Sequence, residues 1–127
     1  MPIISIKTLP LDNILNPAEI LRKLCNNFAV QNGYKAEYVW AYWEFIKPEH
    51  YAVGSATSPV QKEDTHSPIV RILAFEGTQK EKIKKMLETT ADILSKEMKI
   101  DIGNIFIEYS EAHSGMIFDG GNVVYSK

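Results

Sequence analysis

Ile69-Val70-Arg71-Ile72-Leu73-Ala74-Phe75, followed two residues later by Thr78-Gln79-Lys80-Glu81, decides the fold. The first seven residues are mostly β-branched or apolar, which reads as a strand. Thr78 and Glu81 have the spacing of a capping box, so a helix is expected to start there. Leu87, Ala91, Leu94 and Met98 continue it as an apolar stripe. Gly103-Asn104 then leads into a further strand, Ile105-Phe106-Ile107-Glu108-Tyr109. The unit is strand, helix, strand.

The same order stands in the first half. Ile3-Ile4-Ser5-Ile6-Lys7-Thr8 reads as a strand ended by Pro10. Asn16-Pro17-Ala18-Glu19 is a helix start: Asn16 caps, Pro17 sits where its missing N–H costs nothing, and Glu19 is the reciprocal capping residue. Ile20, Leu21, Leu24, Cys25 and Phe28 form the apolar stripe, and Asn32-Gly33 stops the helix. Tyr38-Val39-Trp40-Ala41-Tyr42-Trp43-Glu44-Phe45 is the next strand.

Two βαβ units imply an α+β fold: a four-stranded mixed sheet with both helices on one face, and parallel strands with right-handed crossovers inside each unit. The other face is left open. It carries either Trp40, Tyr42 and Glu44 or Val39, Ala41 and Trp43, and either set includes a tryptophan. Such a face predicts burial by another subunit. Arg71 lies in an otherwise apolar strand and needs a partner, Glu44 or Glu108. Residues 46–68 contain Pro48, Pro59 and Pro68 and show no periodicity. A loop of that length is either functional or an insertion. Val123-Val124-Tyr125 suggests a short hairpin or extension at the end of the chain.

A chain of 127 residues suits one domain, 1–127. Its hydrophobic content of 45% and charged content of 24% are those of an ordinary globular protein. A net charge of −2 gives no basic footprint for nucleic acid. One cysteine, Cys25, excludes an intrachain disulfide and suits a reducing compartment; on the apolar stripe it reads as buried and inert. No apolar run is long enough to span a membrane, and no signal-peptide pattern opens the chain. A cytoplasmic location is therefore expected. His50, His66 and His113 lack ligand spacing, so neither a metal site nor a cofactor is expected.

Met1-Pro2 opens the chain. Once Met1 is cleaved, Pro2 is a secondary amine held rigid by its ring. An α-amino group titrates near ~7.7–8.0, and a modest downward shift makes it a general base at neutral pH.

Met1-Pro2-Ile3, the stretch Ile107-Glu108-Tyr109-Ser110-Glu111, then Gly115 and Gly120-Gly121, together with the duplicated βαβ order, resemble the tautomerase superfamily. That is the 4-oxalocrotonate tautomerase and macrophage migration inhibitory factor group. Pro68 to Glu76, followed by the Thr78 helix, is similar to a bacterial branch of it. The resemblance covers nearly the whole chain outside 46–68.

It implies a homotrimer with sheets inside, helices outside and active sites between subunits. Pro2 would move a proton on a small keto or enol acid. Lys35, one position later than the corresponding lysine of that group, would orient the carboxylate. Phe106, Glu108 and Phe118 would line the pocket. Phe106 stands roughly where one family arginine is placed, and nothing between Leu9 and Ala18 replaces the other. A dicarboxylate clamped by two arginines is not expected, and Glu108 would repel an acid. The alternatives are a non-catalytic trimer of the same fold, a small-molecule or protein-binding module, and a ferredoxin-like binding domain.

Overall fold

Ile4 and Ile6 point one way from their strand, while Ile3, Ser5 and Lys7 point the other, and this alternation sets the two faces of the sheet. The computed structural model describes residues 1–12 and 14–125. The strands are β1 (Ile3–Thr8), β2 (Trp40–Phe45), β3 (Ala52–Val53), β4 (Ala56–Thr57), β5 (Ile69–Phe75), β6 (Phe106–Ala112), β7 (Ile117–Asp119) and β8 (Asn122–Val124). The long helices are α1 (Pro17–Asn32) and α2 (Lys80–Met98).

The sheet has the order β2-β1-β5-β6. β1 runs parallel to β2 and β5 parallel to β6, while the central pair β1 and β5 is antiparallel. The mixed four-stranded sheet with two helices is thus observed. Ile4, Ile6, Val70 and Ile72 form the fully buried floor of the core. Ile20, Leu24 and Phe28 of α1 and Met86, Leu94 and Met98 of α2 close over it. Each such side chain contributes about 1.5–3 kcal/mol by leaving water.

Both ends of α1 follow the sequence. Asn16 Oδ1 accepts from the Ala18 N–H at 2.9 Å, and Gly33 takes the left-handed conformation with φ 76°. Glu19 pairs instead with Lys23, one turn on, at 3.5 Å. The start of α2 differs from expectation. Thr78 does not cap it: its hydroxyl donates back to the Phe75 carbonyl at 3.0 Å and closes the strand-to-helix turn, so the helix begins at Lys80. The buried stripe of α2 is also rotated. Met86, Thr89, Thr90, Ile93, Leu94 and Met98 face the sheet, while Leu87 and Ala91 are half-buried. Thr90 is tolerated there because it returns its hydroxyl to the Met86 carbonyl at 2.8 Å.

Strand boundaries shift as well. Ala36–Tyr38 is a 3-10 turn, so β2 starts at Trp40. β6 runs on to Ala112 because β5 offers a partner for every residue from Phe106 onward.

Residues 46–68 form an ordered excursion. A 3-10 turn at Pro48–His50 leads into the β3–β4 hairpin. Beyond it, Gln61 N–H donates to the Pro10 carbonyl at 2.8 Å, and Asn104 Nδ2 donates to the carbonyls of Lys62 and Thr65 at 3.3 and 3.2 Å. Asn104, 9% exposed, thereby ties the excursion to the start of β6.

Candidate functional site between Pro2 and the open sheet face

Pro2 is placed by the strand it introduces. With Ile4 and Ile6 anchored in the core, the Pro2 ring is fully buried at the head of β1, and its carbonyl accepts the Trp40 N–H at 3.0 Å. Parallel pairing of β1 with β2 brings the segment before Trp40 to the same end of the sheet. Lys35 lies on that segment, exposed, with its ammonium 5.9 Å from the centre of the Tyr38 ring. Tyr34, beside it, stacks on Phe28 with centroids 6.1 Å apart, and burial pushes its phenol above the usual range.

β5 and β6 finish at this end too. There the Glu76 carboxylate accepts the Ser114 N–H at 2.6 Å and approaches His113 Nδ1 at 3.4 Å. This clasp fastens the β7–β8 hairpin, whose turn is Gly120-Gly121 with φ 62° and 86°. Phe118 stands on that hairpin, 72% exposed.

The Ser114 amide, and after it His113, holds the Glu76 carboxyl below its ordinary range. A carboxyl depressed in the folded state stabilises above its unfolded pKa, and that contribution is lost as pH falls through the folded value. Amide exchange in residues 113–125 should therefore accelerate relative to β5 between about pH 5 and pH 3. In a Glu76→Gln variant the hairpin should exchange faster at neutral pH and lose that acid step.

Phe106 and Glu108 lie elsewhere. Phe106 pairs with Ile69, which pairs with Lys7, so it stands five residues along β1 from Pro2, roughly 16 Å at the usual strand rise. Glu108 is in the row of Ser5, roughly 10 Å from Pro2 along the strand direction and two strands across. One protomer gathers Pro2, Lys35 and the hairpin bearing Phe118 at one end of the sheet. It holds Phe106 at the other.

The open face carries Trp40, Tyr42 and Glu44, which resolves the two registers left open by the sequence; Trp43 turns to the helix side and donates its Nε1–H to Thr8 Oγ1 at 2.9 Å. A hollow of about 560 Å³ lies across this face over Ser5, Tyr42, Arg71, Leu73, Phe106 and Glu108. Arg71 finds its partner in Glu108: Nε and Nη2 both donate to Oε1 at 2.8 Å. Both side chains are exposed, so the pair adds about 0.2–1 kcal/mol at most to the isolated chain. Its effect is local, because a guanidinium now offsets the Glu108 charge.

Among the described residues no three His, Cys, Asp or Glu side chains come together as metal ligands, and no helix is long and apolar enough to cross a membrane. Cys25 is half-buried, and burial raises its thiol above the usual range. The Glu76–His113–Ser114 clasp was not read from the sequence. Its members lie 37 and 38 positions apart, and only the β5–β6 register brings them together.

No family model matches the chain, and no curated protein matches it in sequence. Solved structures match it closely in shape. A native fused 4-OT superposes with a TM-score of 0.80 at 14% identity, over 96% of this chain and 95% of its own. A protein crystallised after inactivation by 2-oxo-3-pentynoate gives 0.81 at 10% identity, over 96% and 94%. Macrophage migration inhibitory factor from Oncomelania hupensis gives 0.75 at 10% identity, over 99% of each chain. The chain shares the fold of these structures.

Proposed function

We propose that this chain is a cytoplasmic, homotrimeric keto–enol tautomerase in which Pro2, freed of Met1, is the general base and acid. The observation that carries the reading is Pro2 itself, fixed at the head of a central strand in a fold shared with 4-OT and macrophage migration inhibitory factor structures. Fused 4-OT crystallises as a trimer. Here the open face and its exposed Trp40, Tyr42, Ile69 and Phe106 supply apolar surface for the same assembly.

Each site would join two subunits. Pro2 and Lys35 come from one, Phe106 and Glu108 from its neighbour, and Phe118 walls the pocket. The neutral Pro2 amine takes the O–H proton of a 2-hydroxy enol acid. The oxygen's electron pair then forms the C=O bond, and the C=C pair takes a proton back from Pro2 at carbon. Lys35 holds the carboxylate as a point charge. Glu108 need not repel that carboxylate, because Arg71 already grips it through two hydrogen bonds. Little else is required beyond a base near neutral pKa and a pocket poor in water.

The test is labelling with 3-bromopyruvate near pH 7, read by intact and peptide mass spectrometry. 2-Oxo-3-pentynoate, which inactivates a protein of the same fold, is the second probe. The expected result is a single adduct on Pro2 of a chain lacking Met1. Modification confined to Cys25 or scattered over lysines overturns the base assignment. A second reading, a non-catalytic trimer, is favoured by the complete burial of the Pro2 ring. The same measurement separates the two.

A further inference from the structure

Phe106 and Ile69 each border two hollows. One is the open-face hollow over Arg71 and Glu108. The other, about 550 Å³, lies beneath the 46–68 excursion, with Tyr51, Val53 and Ala56 facing Ile69 and Phe106. The two are therefore neighbours that share Ile69 and Phe106 as lining. The second is mainly apolar, and among the described residues its one charged lining residue is Asp64. Its frame is fixed. The Tyr51 hydroxyl donates to the Ser67 carbonyl at 2.9 Å, and the Tyr51 ring meets His66 edge-on with centroids 5.1 Å apart. His66, 4% exposed, donates from Nε2 to the Ala56 carbonyl at 3.0 Å and so braces the hairpin.

We propose that this hollow is a subsite for the uncharged, apolar tail of the acid whose keto–enol end is handled at the Pro2 of an adjacent subunit. The proposal rests on the proposed function through Phe106, which lines that site and walls this hollow. A tail ending in a second carboxylate is excluded by chemistry. It would leave water for an apolar lining, meet no lysine or arginine there, and face Asp64. An alkyl tail gains on each count, since every methylene removed from water tightens binding by roughly fourfold. The excursion thus selects a monocarboxylic 2-oxo or enol acid with an apolar chain.

The experiment measures protection of Pro2 against 3-bromopyruvate by three acids: 2-oxobutanoate, 2-oxooctanoate and 2-oxoadipate. 2-Oxooctanoate should protect at concentrations at least about tenfold lower than either of the others. In Val53→Asp, at an exposed position of strand β3, the ratio between the long and short monoacids should collapse towards one, with circular dichroism confirming the fold. Equal protection by all three acids overturns the proposal, as does a ratio that survives Val53→Asp. Should Pro2 not label at all, the tautomerase reading fails separately. Saturation-transfer NMR of 2-oxooctanoate then decides the hollow: a signal in the wild type that Val53→Asp loses supports the subsite, and no signal, or the same signal in both, overturns it.

Discussion

An N-terminal extension that leaves the Pro2 nitrogen in a peptide bond is expected to lower kcat/KM for ketonisation of an enol acid by about 10²–10⁴-fold, the range for loss of a positioned acid–base group. An amide nitrogen has no basic lone pair, so the effect acts on chemistry. The fold should survive. Pro2 is anchored by its carbonyl, which takes the Trp40 N–H, and by a ring packed at the head of β1. Neither contact uses the nitrogen. Thermal unfolding of the extended protein should therefore stay close to that of the chain beginning at Pro2, while turnover collapses. Turnover that persists in the extended protein removes Pro2 from the mechanism. The pH profile supplies a second readout: the acidic limb of kcat/KM, where protonation of the free amine removes the base, should disappear on extension.

The second large effect is on stability. Phe28→Ala should cost about 3–5 kcal/mol in denaturant unfolding, because it empties the centre of the core. Phe28 is fully buried between both helices and the sheet and stacks on Tyr34 at 6.1 Å. That loss is a large share of the 5–15 kcal/mol typical of a domain. Val30→Ala, two residues along the same helix but 83% exposed, should change stability by no more than about 0.5 kcal/mol and serves as the control. The cost should also reach the site. Tyr34 holds the exit of α1 through its stacked ring and its N–H to the Ala29 carbonyl at 2.9 Å. Lys35 is the next residue. A stabilised Phe28→Ala variant should raise KM for a carboxylate substrate more than it lowers kcat, since the turn that places Lys35 has lost its support.

The parts of this molecule that could be read from the chain are those decided locally. Asn16 and Gly33 mark the ends of α1 because capping and left-handed geometry depend on a few neighbouring residues. The β-branched and apolar runs Ile3–Thr8 and Ile69–Phe75 identify strands by composition, and the fold adds the alternation of buried and exposed positions. Thr78 shows the limit of such reasoning: its hydroxyl had two acceptable partners, and the turn geometry chose the Phe75 carbonyl over the helix end. Leu94 and Met98 of the α2 stripe are buried as expected, whereas Leu87 and Ala91 are half-buried and the polar-looking Thr89 and Thr90 are buried. The 46–68 segment has no period to read, since its order comes from hydrogen bonds to Pro10, Asp101 and Asn104 on remote parts of the chain. At the candidate site, Arg71 could be paired from its apolar setting, and the register selects Glu108 over Glu44. The Glu76 clasp, made by residues far apart in sequence, left no local trace.

The separation of Pro2 from Phe106 along the sheet has a genetic consequence. If every working centre draws these residues from two different chains, a lesion at Pro2 and a lesion at Phe106 damage the same centre from opposite sides. Each makes a pure assembly inert. Co-expressed, the two defective alleles would form mixed rings in which some junctions pair an intact Pro2 with an intact Phe106, while the faults accumulate at others. Two null proteins would then complement one another in a single cell, in proportion to their mixing.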